Sequence, residues 1–282
     1  MSNGTPKVVF EEASHKYFID DVAMSRSVTE LIGQFFPDFD SIASATKMLK
    51  RADFPHLHKY DQYRAILREA NIESVHPEAV GVIVSFWDRE RDEAAALGTL
   101  MHKTIEAYYS DGTVPEPCTK EFSLFSVFDA YTKKLGYVPY KSEQIVYDVG
   151  LSLAGSCDML YVKKTDLSTK PLKVWLVDWK RSKQINMTGY GGRKGSGPFS
   201  HLEDCNFAHY SVQLNLYKYL LETHFGMEVE KMTLVILHPK QARYIMYHVD
   251  DLQAEVREVL TSSQDESRRK DLDPSSCELV SK

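Results

Sequence analysis

The apolar residues of this chain are spaced in two ways, one typical of helices and one typical of strands, and this spacing predicts the secondary structure. In some segments apolar residues recur every three or four positions, which is typical of helices packed on a core. In others, short apolar-rich runs end at polar turns, which is typical of strands. Helices are predicted over residues 82–109, 119–135 and 204–224. Strands are predicted over residues 141–148, 151–162, 172–180, 231–238 and 242–249. The order helix, three strands, helix, strand predicts an α/β sandwich with a mixed sheet.

The segments outside this core differ from it in composition. Residues 7–22 read as two short strands around a polar turn. Ser27 or Thr29 is placed to cap a short helix that ends before Pro37. We therefore expect four parts along the chain. They are a hairpin and short helix over 1–40, a charged helical elaboration over 41–96, the core over 97–260, and a polar, disordered tail over 261–282.

Composition narrows the class of protein. The chain has 282 residues, of which 43% are hydrophobic, enough to bury a full core, and its formal net charge is −6. An acidic protein that holds nucleic acid must use local basic patches or a metal. The four cysteines form no CxxC pair, which argues against a zinc finger or a disulfide framework. No apolar stretch approaches the roughly 20 residues that span a bilayer. We expect a soluble, intracellular protein, cytoplasmic or nuclear, that does not bind membranes.

Candidate chemistry begins at the end of the third predicted strand of the core. Alternation places Asp178 and Lys180 on one face of this strand, after Leu176, and the opposite face is also apolar. A carboxylate in such a central strand costs several kcal/mol unless it has a partner or a metal. The preceding strand carries Asp158 in a similar setting. Two carboxylates brought together by strand pairing repel unless a divalent cation lies between them, and a hard ion, Mg²⁺ or Mn²⁺, fits.

Each candidate residue also has an ordinary structural interpretation. A single D-x-K pattern is more often a buried ion pair than a catalytic one. His102 and Glu106 lie four apart on one helical face, as do Gln213 and Tyr217, and such spacing is common in amphipathic helices. Glu143 is a charge in a predicted strand that solvent alone can satisfy. The combination of these residues, rather than any one of them, points to a function.

Taken together and in order, these residues resemble the RecB-like branch of the PD-(D/E)xK nuclease superfamily, which includes phage, large-virus and mitochondrial-exonuclease-like members. Four short motifs between residues 98 and 220 carry the resemblance. The motifs are G-T-x-x-H-x-x-x-E at Gly98, Thr99, His102 and Glu106, G-x-x-D at Gly155 and Asp158, D-x-K at Asp178 and Lys180, and Q-x-x-x-Y at Gln213 and Tyr217. The resemblance implies a restriction-endonuclease-like core, α-β-β-β-α-β, with a mixed central sheet flanked by helices and an N-terminal helical elaboration.

The resemblance also implies a metal site. Its ligands would be His102, Asp158, Asp178 and the backbone carbonyl of Trp179, with Glu143 as the nearest candidate for a further ligand. Oxygen ligands with one imidazole suit Mg²⁺ or Mn²⁺ better than zinc. Some relatives hold an iron–sulfur cluster through cysteines that flank the core. The cysteines here lack that spacing, so we expect no cluster.

Further residues would act on the substrate. By the same resemblance, Lys180 would act on the attacking water, Gln213 and Tyr217 would contact the DNA backbone or brace the site, and Glu106 would have a secondary role. The loop over residues 186–200 is rich in glycine, so we expect it to be mobile and to close over DNA. The expected phosphate contacts are the basic residues Arg181, Lys183, Arg193 and Lys194. The aromatic residues within 41–96 have two possible roles: they stack on single-stranded bases, or they belong to the hydrophobic core of that region. These residues are Phe54, Tyr60, Tyr63, Phe86 and Trp87.

These expectations define one function and two alternatives. We expect a Mg²⁺- or Mn²⁺-dependent deoxyribonuclease that hydrolyses phosphodiester bonds in DNA repair, replication or recombination. Exonuclease action on single-stranded or frayed DNA ends is the favoured form, in the host cell if the protein is viral. A structure-specific or nicking endonuclease is the alternative within enzymes. A non-catalytic nucleic-acid-binding module of the same fold is the alternative outside them.

Overall fold

The computed structural model of the protein describes residues 6–12, 14 and 16–272, with side chains up to residue 263. The Cα positions divide the described chain into two compact units. One spans Asp38–Met101, and the other combines the residues up to Pro37 with those from His102 onward. None of the described helices has both the length and the apolar character that crossing a membrane requires.

The larger unit begins with a small antiparallel sheet and a capped helix, as the sequence predicts. The sheet consists of β1 (Val8–Glu11), β2 (Lys16–Ile19) and β3 (Val22–Ala23). The short strand β4 (Arg26–Ser27), which belongs to a second sheet, leads into the helix α1 (Val28–Gly33). The backbone N–H of Glu30 donates to the side chain of Ser27, and the backbone N–H of Ser27 donates to the carboxylate of Glu30. This reciprocal capping box satisfies two amide groups that the first turn of a helix otherwise leaves unpaired, so Ser27 is the cap.

The smaller unit is helical, as the sequence predicts for this region. Its helices are α2 (Ser41–Leu49), α3 (Asp61–Glu69) and the first part of α4 (Ala79–Asp111). They enclose a core of their own, in which Phe54 and Tyr60 are 2% and 8% exposed. Tyr63 and Trp87 pack against that core from partly buried positions. Phe54 and Tyr60 are therefore core residues, which removes them from the aromatic residues that could stack on bases.

The larger unit is built on a mixed sheet. Its strands are the short β4 and five longer ones, β5 (Tyr137–Asp148), β6 (Leu153–Lys163), β7 (Leu172–Lys180), β8 (Met227–Ile236) and β9 (Ile245–His248). Strand β6 is antiparallel to both β5 and β7, β7 is parallel to β8, and β9 is antiparallel to β8. The helices that accompany the sheet are α5 (Lys120–Lys134), α6 (Asn206–His224) and α7 (Gln253–Leu272). The predicted α/β architecture with a mixed sheet flanked by helices is confirmed at this level.

Strand β7 is covered on both faces, which explains its apolar sequence. Trp175 and Trp179 meet the ring of Phe128 on α5 at centroid distances of 5.8 and 5.4 Å. On the opposite face, Val174 and Leu176 belong to the core cluster to which α6 contributes. The period of two therefore directs the tryptophans to one helix and the aliphatic residues to the other.

Two segments differ from the prediction. Helix α7 continues to Leu272, so the described part of the predicted disordered tail is helical, and residues 273–282 lie outside the described residues. The loop over residues 186–200 contains two short 3-10 helices and a Phe199 that is only 1% exposed. A Cβ atom on Gly189 would lie 2.1 Å from the carbonyl oxygen of Arg193. Glycine is needed there because two backbone segments pack closely, and flexibility is not the reason.

Candidate metal centre

The candidate site lies where the edge of β6 changes its partner strand. Strand β4 pairs in parallel with Leu153 and Ala154, whereas β7 pairs with the segment from Met159 to Tyr161. Residues 155–158 lie between these two pairings. At the end of this interval the backbone N–H of Trp179 donates to Oδ2 of Asp158 at 2.7 Å. The aspartate side chain thus replaces a backbone acceptor at the point where β6 and β7 diverge.

Tyr217 of α6 packs into this interval. A Cβ atom on Gly155 would lie 2.7 Å from Cε1 of Tyr217, so only glycine lets the ring approach the strand this closely. Tyr217 is 4% exposed, and its hydroxyl accepts a hydrogen bond from Nε2 of Gln213 at 2.9 Å. Of the two roles predicted for Tyr217, burial favours bracing the site over contact with a DNA backbone.

Glu143 enters the site through an unusual backbone conformation. The register of β5 with β6 places it opposite Asp158. Its φ of 46° lies in the left-handed region, which a residue other than glycine rarely adopts, and such outliers cluster at functional sites. Ser156 donates to Oε2 of Glu143 at 3.1 Å, and Oε1 lies 3.7 Å from Nδ1 of His102. The strand irregularity thus brings a third acidic residue to the site.

His102, Glu143 and Asp158 form a group with the spacing of metal ligands. One ligand atom from each lies within 4.8 Å of the others, and Nδ1 of His102 is 3.6 Å from Oδ1 of Asp158. On the other side of the imidazole ring, Nε2 lies 3.1 Å from the carbonyl oxygen of Trp179. A proton on Nε2 makes this contact a hydrogen bond that fixes the ring while Nδ1 faces the carboxylates. In this structure the carbonyl of Trp179, predicted as a ligand, contacts the histidine, and its role as a ligand stays a prediction.

Asp178 and Lys180 form a second part of the same site. Nζ of Lys180 lies 3.0 Å from Oδ1 and 2.8 Å from Oδ2 of Asp178, which is 1% exposed. The same ammonium donates to Oε1 of Gln213 at 3.4 Å. It also lies 4.7 Å from the ring centroid of Tyr210. The structure therefore brings the predicted D-x-K pair and the predicted glutamine together.

The site contains more acidic than basic side chains, and this imbalance changes their pKa values. Burial raises the pKa of Asp178 to about 6, with Asp158 adding to the rise and Lys180 opposing it. Burial likewise raises the pKa of Asp158 against the pull of His102 and Lys180. For His102, burial lowers the pKa, but Asp158 and Glu143 outweigh burial and raise it to about 9. In the metal-free protein, a proton on the imidazole thus compensates part of the excess negative charge.

A divalent cation fits this set of donors. Ligands at about 2.1 Å from an octahedral ion lie roughly 3.0 to 4.2 Å from one another. The separations of 3.6 and 3.7 Å from Nδ1 of His102 to the carboxylates of Asp158 and Glu143 fall in that range. Carboxylate oxygens with a single imidazole suit Mg²⁺ or Mn²⁺. Binding would replace the proton on His102, because a ligating imidazole must be neutral.

Several predicted DNA contacts are engaged within the protein. Nε of Arg181 donates to Oε1 of Glu121 at 2.8 Å. The guanidinium of Arg193 lies 2.8 Å from the carboxylate of Asp204, whose side chain is 4% exposed. Lys194 lies 3.9 Å from a carboxylate oxygen of Glu203. The remaining predicted residues Lys183 and Glu106 are exposed. Arg193 therefore has a structural role in holding its loop, which the sequence does not reveal.

Two tyrosines near the site were not predicted. Tyr17 on β2 has a pKa raised to about 12, mainly by burial and further by Glu143. Because Tyr17 belongs to a separate small sheet, no local pattern connects it with the site. Tyr210 precedes Gln213 by three residues and Tyr217 by seven, so helical spacing on α6 was a signal that could have found it.

Comparison with known proteins adds little to this geometry. No protein-family model matches the sequence, and no curated protein matches it. One similar solved structure is described as the crystal structure of SSO0001. The similarity covers 86% of this chain and 75% of that chain, with 13% sequence identity and a TM-score of 0.30. A TM-score of this size is too low to establish a shared fold.

Proposed function

We propose that the protein is a metal-dependent deoxyribonuclease with a restriction-endonuclease-like core of the RecB-like type. The observation that carries the proposal is the convergence of His102, Glu143 and Asp158 beside the Asp178–Lys180 pair. The resemblance of the four sequence motifs supports the choice of DNA as substrate. Carboxylates on three neighbouring strands, together with an imidazole and a lysine, are suited to hydrolysis of a phosphodiester.

The metal and the protein contribute different parts of the chemistry. A bound Mg²⁺ or Mn²⁺ would polarise a phosphate oxygen and make a bound water more acidic. Asp158, Glu143 and His102 would supply the ligands that hold this ion in place. Asp178 fixes Lys180 through contacts of 2.8 and 3.0 Å.

Lys180 acts as a cation and a hydrogen-bond donor. Burial lowers its pKa, but the carboxylates of Asp178 and Asp158 outweigh burial and raise the pKa above its usual value. The ammonium therefore stays protonated at neutral pH and is a poor general base. Its role in the reaction is to orient the attacking water and to stabilise negative charge that grows on the phosphate.

Cleavage assays on linear and circular single-stranded DNA of the same sequence test the function. We expect the linear strand to be degraded from its ends in Mg²⁺ or Mn²⁺ and the circle to survive. Lys180→Ala should reduce kcat by about a thousandfold or more, because it removes charge stabilisation at the reacting centre. Its affinity for DNA in Ca²⁺ should change little, since one cation among many phosphate contacts contributes little to binding.

A lysine on the same strand provides the control. Lys173 is partly exposed at the other end of β7, where it pairs with Glu230 at 3.2 Å, so Lys173→Ala should cleave like the wild type. Cleavage of the circle would show an endonuclease instead. Intact linear and circular DNA in both metals, or full activity of Lys180→Ala, would contradict the proposal.

A further inference from the structure

The ammonium of Lys180 lies in a cage of three side chains among the described residues. Asp178 contacts it with both carboxylate oxygens, and Gln213 accepts a hydrogen bond from it at 3.4 Å. The third contact is the face of the Tyr210 ring, whose centroid is 4.7 Å from Nζ. Distances below about 6 Å are those of a cation–π interaction. The side chain of Lys180 is 18% exposed, so the cage leaves only part of it to solvent.

The two contacts from α6 differ in kind from the contact with Asp178. The carboxylate of Asp178 neutralises the ammonium, and it also lies beside the proposed metal site. Tyr210 and Gln213 are neutral, so they hold the ammonium in place without cancelling its charge. Tyr217 in turn accepts a hydrogen bond from Gln213 at 2.9 Å, which fixes the amide. One face of α6 therefore presents a prearranged support to Lys180.

We propose that Tyr210 is a positioning residue for Lys180, and that the face of its ring keeps the ammonium directed at the reacting phosphate. This inference rests on the proposed nuclease function. Because the interaction uses the aromatic ring, the tyrosine hydroxyl is dispensable. Phenylalanine should therefore be able to replace Tyr210, whereas leucine, which is apolar but has no ring, should not.

A spectroscopic measurement on the metal-free protein tests the contact without any reaction. With ¹³C-labelled lysine, the ε-methylene protons of Lys180 should resonate upfield of the position of a lysine in an unfolded peptide, because they lie near the face of an aromatic ring. Lys231, 3.5 Å from the ring centroid of Trp175, should be shifted as well and serves as an internal reference. The shift should remain in Tyr210→Phe and disappear in Tyr210→Leu. The signal is assigned by its loss in Lys180→Arg. An unshifted Lys180 signal in the wild type would overturn the proposal without the need for any variant.

Kinetics test the consequence for turnover. Tyr210→Leu should lower kcat about tenfold with little change in KM, which matches the loss of one cation–π contact at a partly buried site. Tyr210→Phe should keep kcat within about twofold of the wild type. Equal losses in both variants would assign the effect to the hydroxyl and overturn the proposal, as would a wild-type kcat in Tyr210→Leu.

The same helix offers a matched control. Tyr219 on α6 carries a comparable cation–π contact with Arg257, at 5.5 Å from the ring centroid. Tyr219→Leu removes a ring and a cation contact from α6 and should leave both kcat and the Lys180 signal unchanged. A loss of kcat in Tyr219→Leu equal to that in Tyr210→Leu would reduce the role of Tyr210 to helix stability and overturn the proposal. A wild type that cleaves no DNA would instead overturn the proposed function, and the Lys180 spectrum would still test the contact.

Discussion

Two groups of polar residues, each around a buried aspartate, take side chains from α4, and they differ in how their charge is compensated. The first, the Asp129 network, consists of Asp129, Tyr108, Tyr109 and Lys133. Asp129 is 4% exposed and accepts hydrogen bonds from Tyr109 at 3.0 Å, Tyr108 at 3.1 Å and Lys133 at 2.6 Å. One negative charge meets one positive charge and two hydroxyl donors. This carboxylate is fully compensated by the protein itself.

The second group, the His102 cluster, consists of His102, Glu143 and Asp158. Its two carboxylates lie near a third, that of Asp178, and the neighbouring positive charge comes from Lys180 and from a proton on His102. The raised pKa values of Asp158 and Asp178 show the cost of crowding these acids in a buried site. The difference teaches that burial of a carboxylate alone does not indicate a metal site. What makes the His102 cluster a candidate metal site is the excess of closely spaced carboxylates over the groups that compensate their charge.

Matched substitutions in the two groups should separate them most clearly. Asp129→Asn should lower the free energy of unfolding in EDTA by about 3 kcal/mol, because an ammonium and two hydroxyls lose a charged acceptor. Asp158→Asn keeps an acceptor for the N–H of Trp179 and removes one of three crowded charges. Its free energy of unfolding should stay within about 1 kcal/mol of the wild type. Urea titrations measure both, and a larger loss in Asp158→Asn than in Asp129→Asn would make the His102 cluster an ordinary structural network.

The second-largest effect is expected in the pH dependence of the free energy of unfolding. A histidine has a pKa near 6.5 in the unfolded chain, whereas Asp158 and Glu143, working against burial, raise that of His102 to about 9. The folded state therefore binds this proton more tightly, and its contribution to stability is lost as the pH rises from 6.5 through 9. In EDTA we expect the free energy of unfolding to fall by about 2 kcal/mol over that range. His102→Asn should flatten this slope, and an equally steep fall in the variant would refute the assignment.

The smallest effect is expected in the glycine-containing loop. Arg193 pairs with the buried Asp204, so Arg193→Ala should lower the free energy of unfolding by about 1 kcal/mol. Its neighbour Lys194 reaches Glu203 only at 3.9 Å and is half-exposed, so Lys194→Ala should stay within about 0.5 kcal/mol. Thermal unfolding of the two variants compares them. Equal stabilities would return Arg193 to the set of candidate DNA contacts, where Lys194 remains.

The sequence predicted the elements of the core well because they follow from local periodicity. Asp178 and Lys180 could be placed on one face of a central strand because the strand alternates without interruption. The position of Glu143 could not be predicted, since it depends on a left-handed φ within a strand and on the register with β6. The loop over residues 186–200 was predicted to be mobile because glycine permits mobility. Its packing depends on distant groups such as the carbonyl of Phe35, which accepts from the N–H of Ser196 at 2.8 Å.

The central claim, that the His102 cluster holds a divalent cation, is tested most directly by calorimetric titration with Mn²⁺. The wild type and Asp129→Asn should each bind Mn²⁺ at this site with similar affinity, because the Asp129 network is already compensated. Asp158→Asn should bind at least about tenfold more weakly, since it loses a charged ligand. An ion concentration that saturates the wild type should also raise the melting temperature of the first two proteins by more than that of the third. Binding of Mn²⁺ to Asp158→Asn with the affinity of the wild type would contradict the claim.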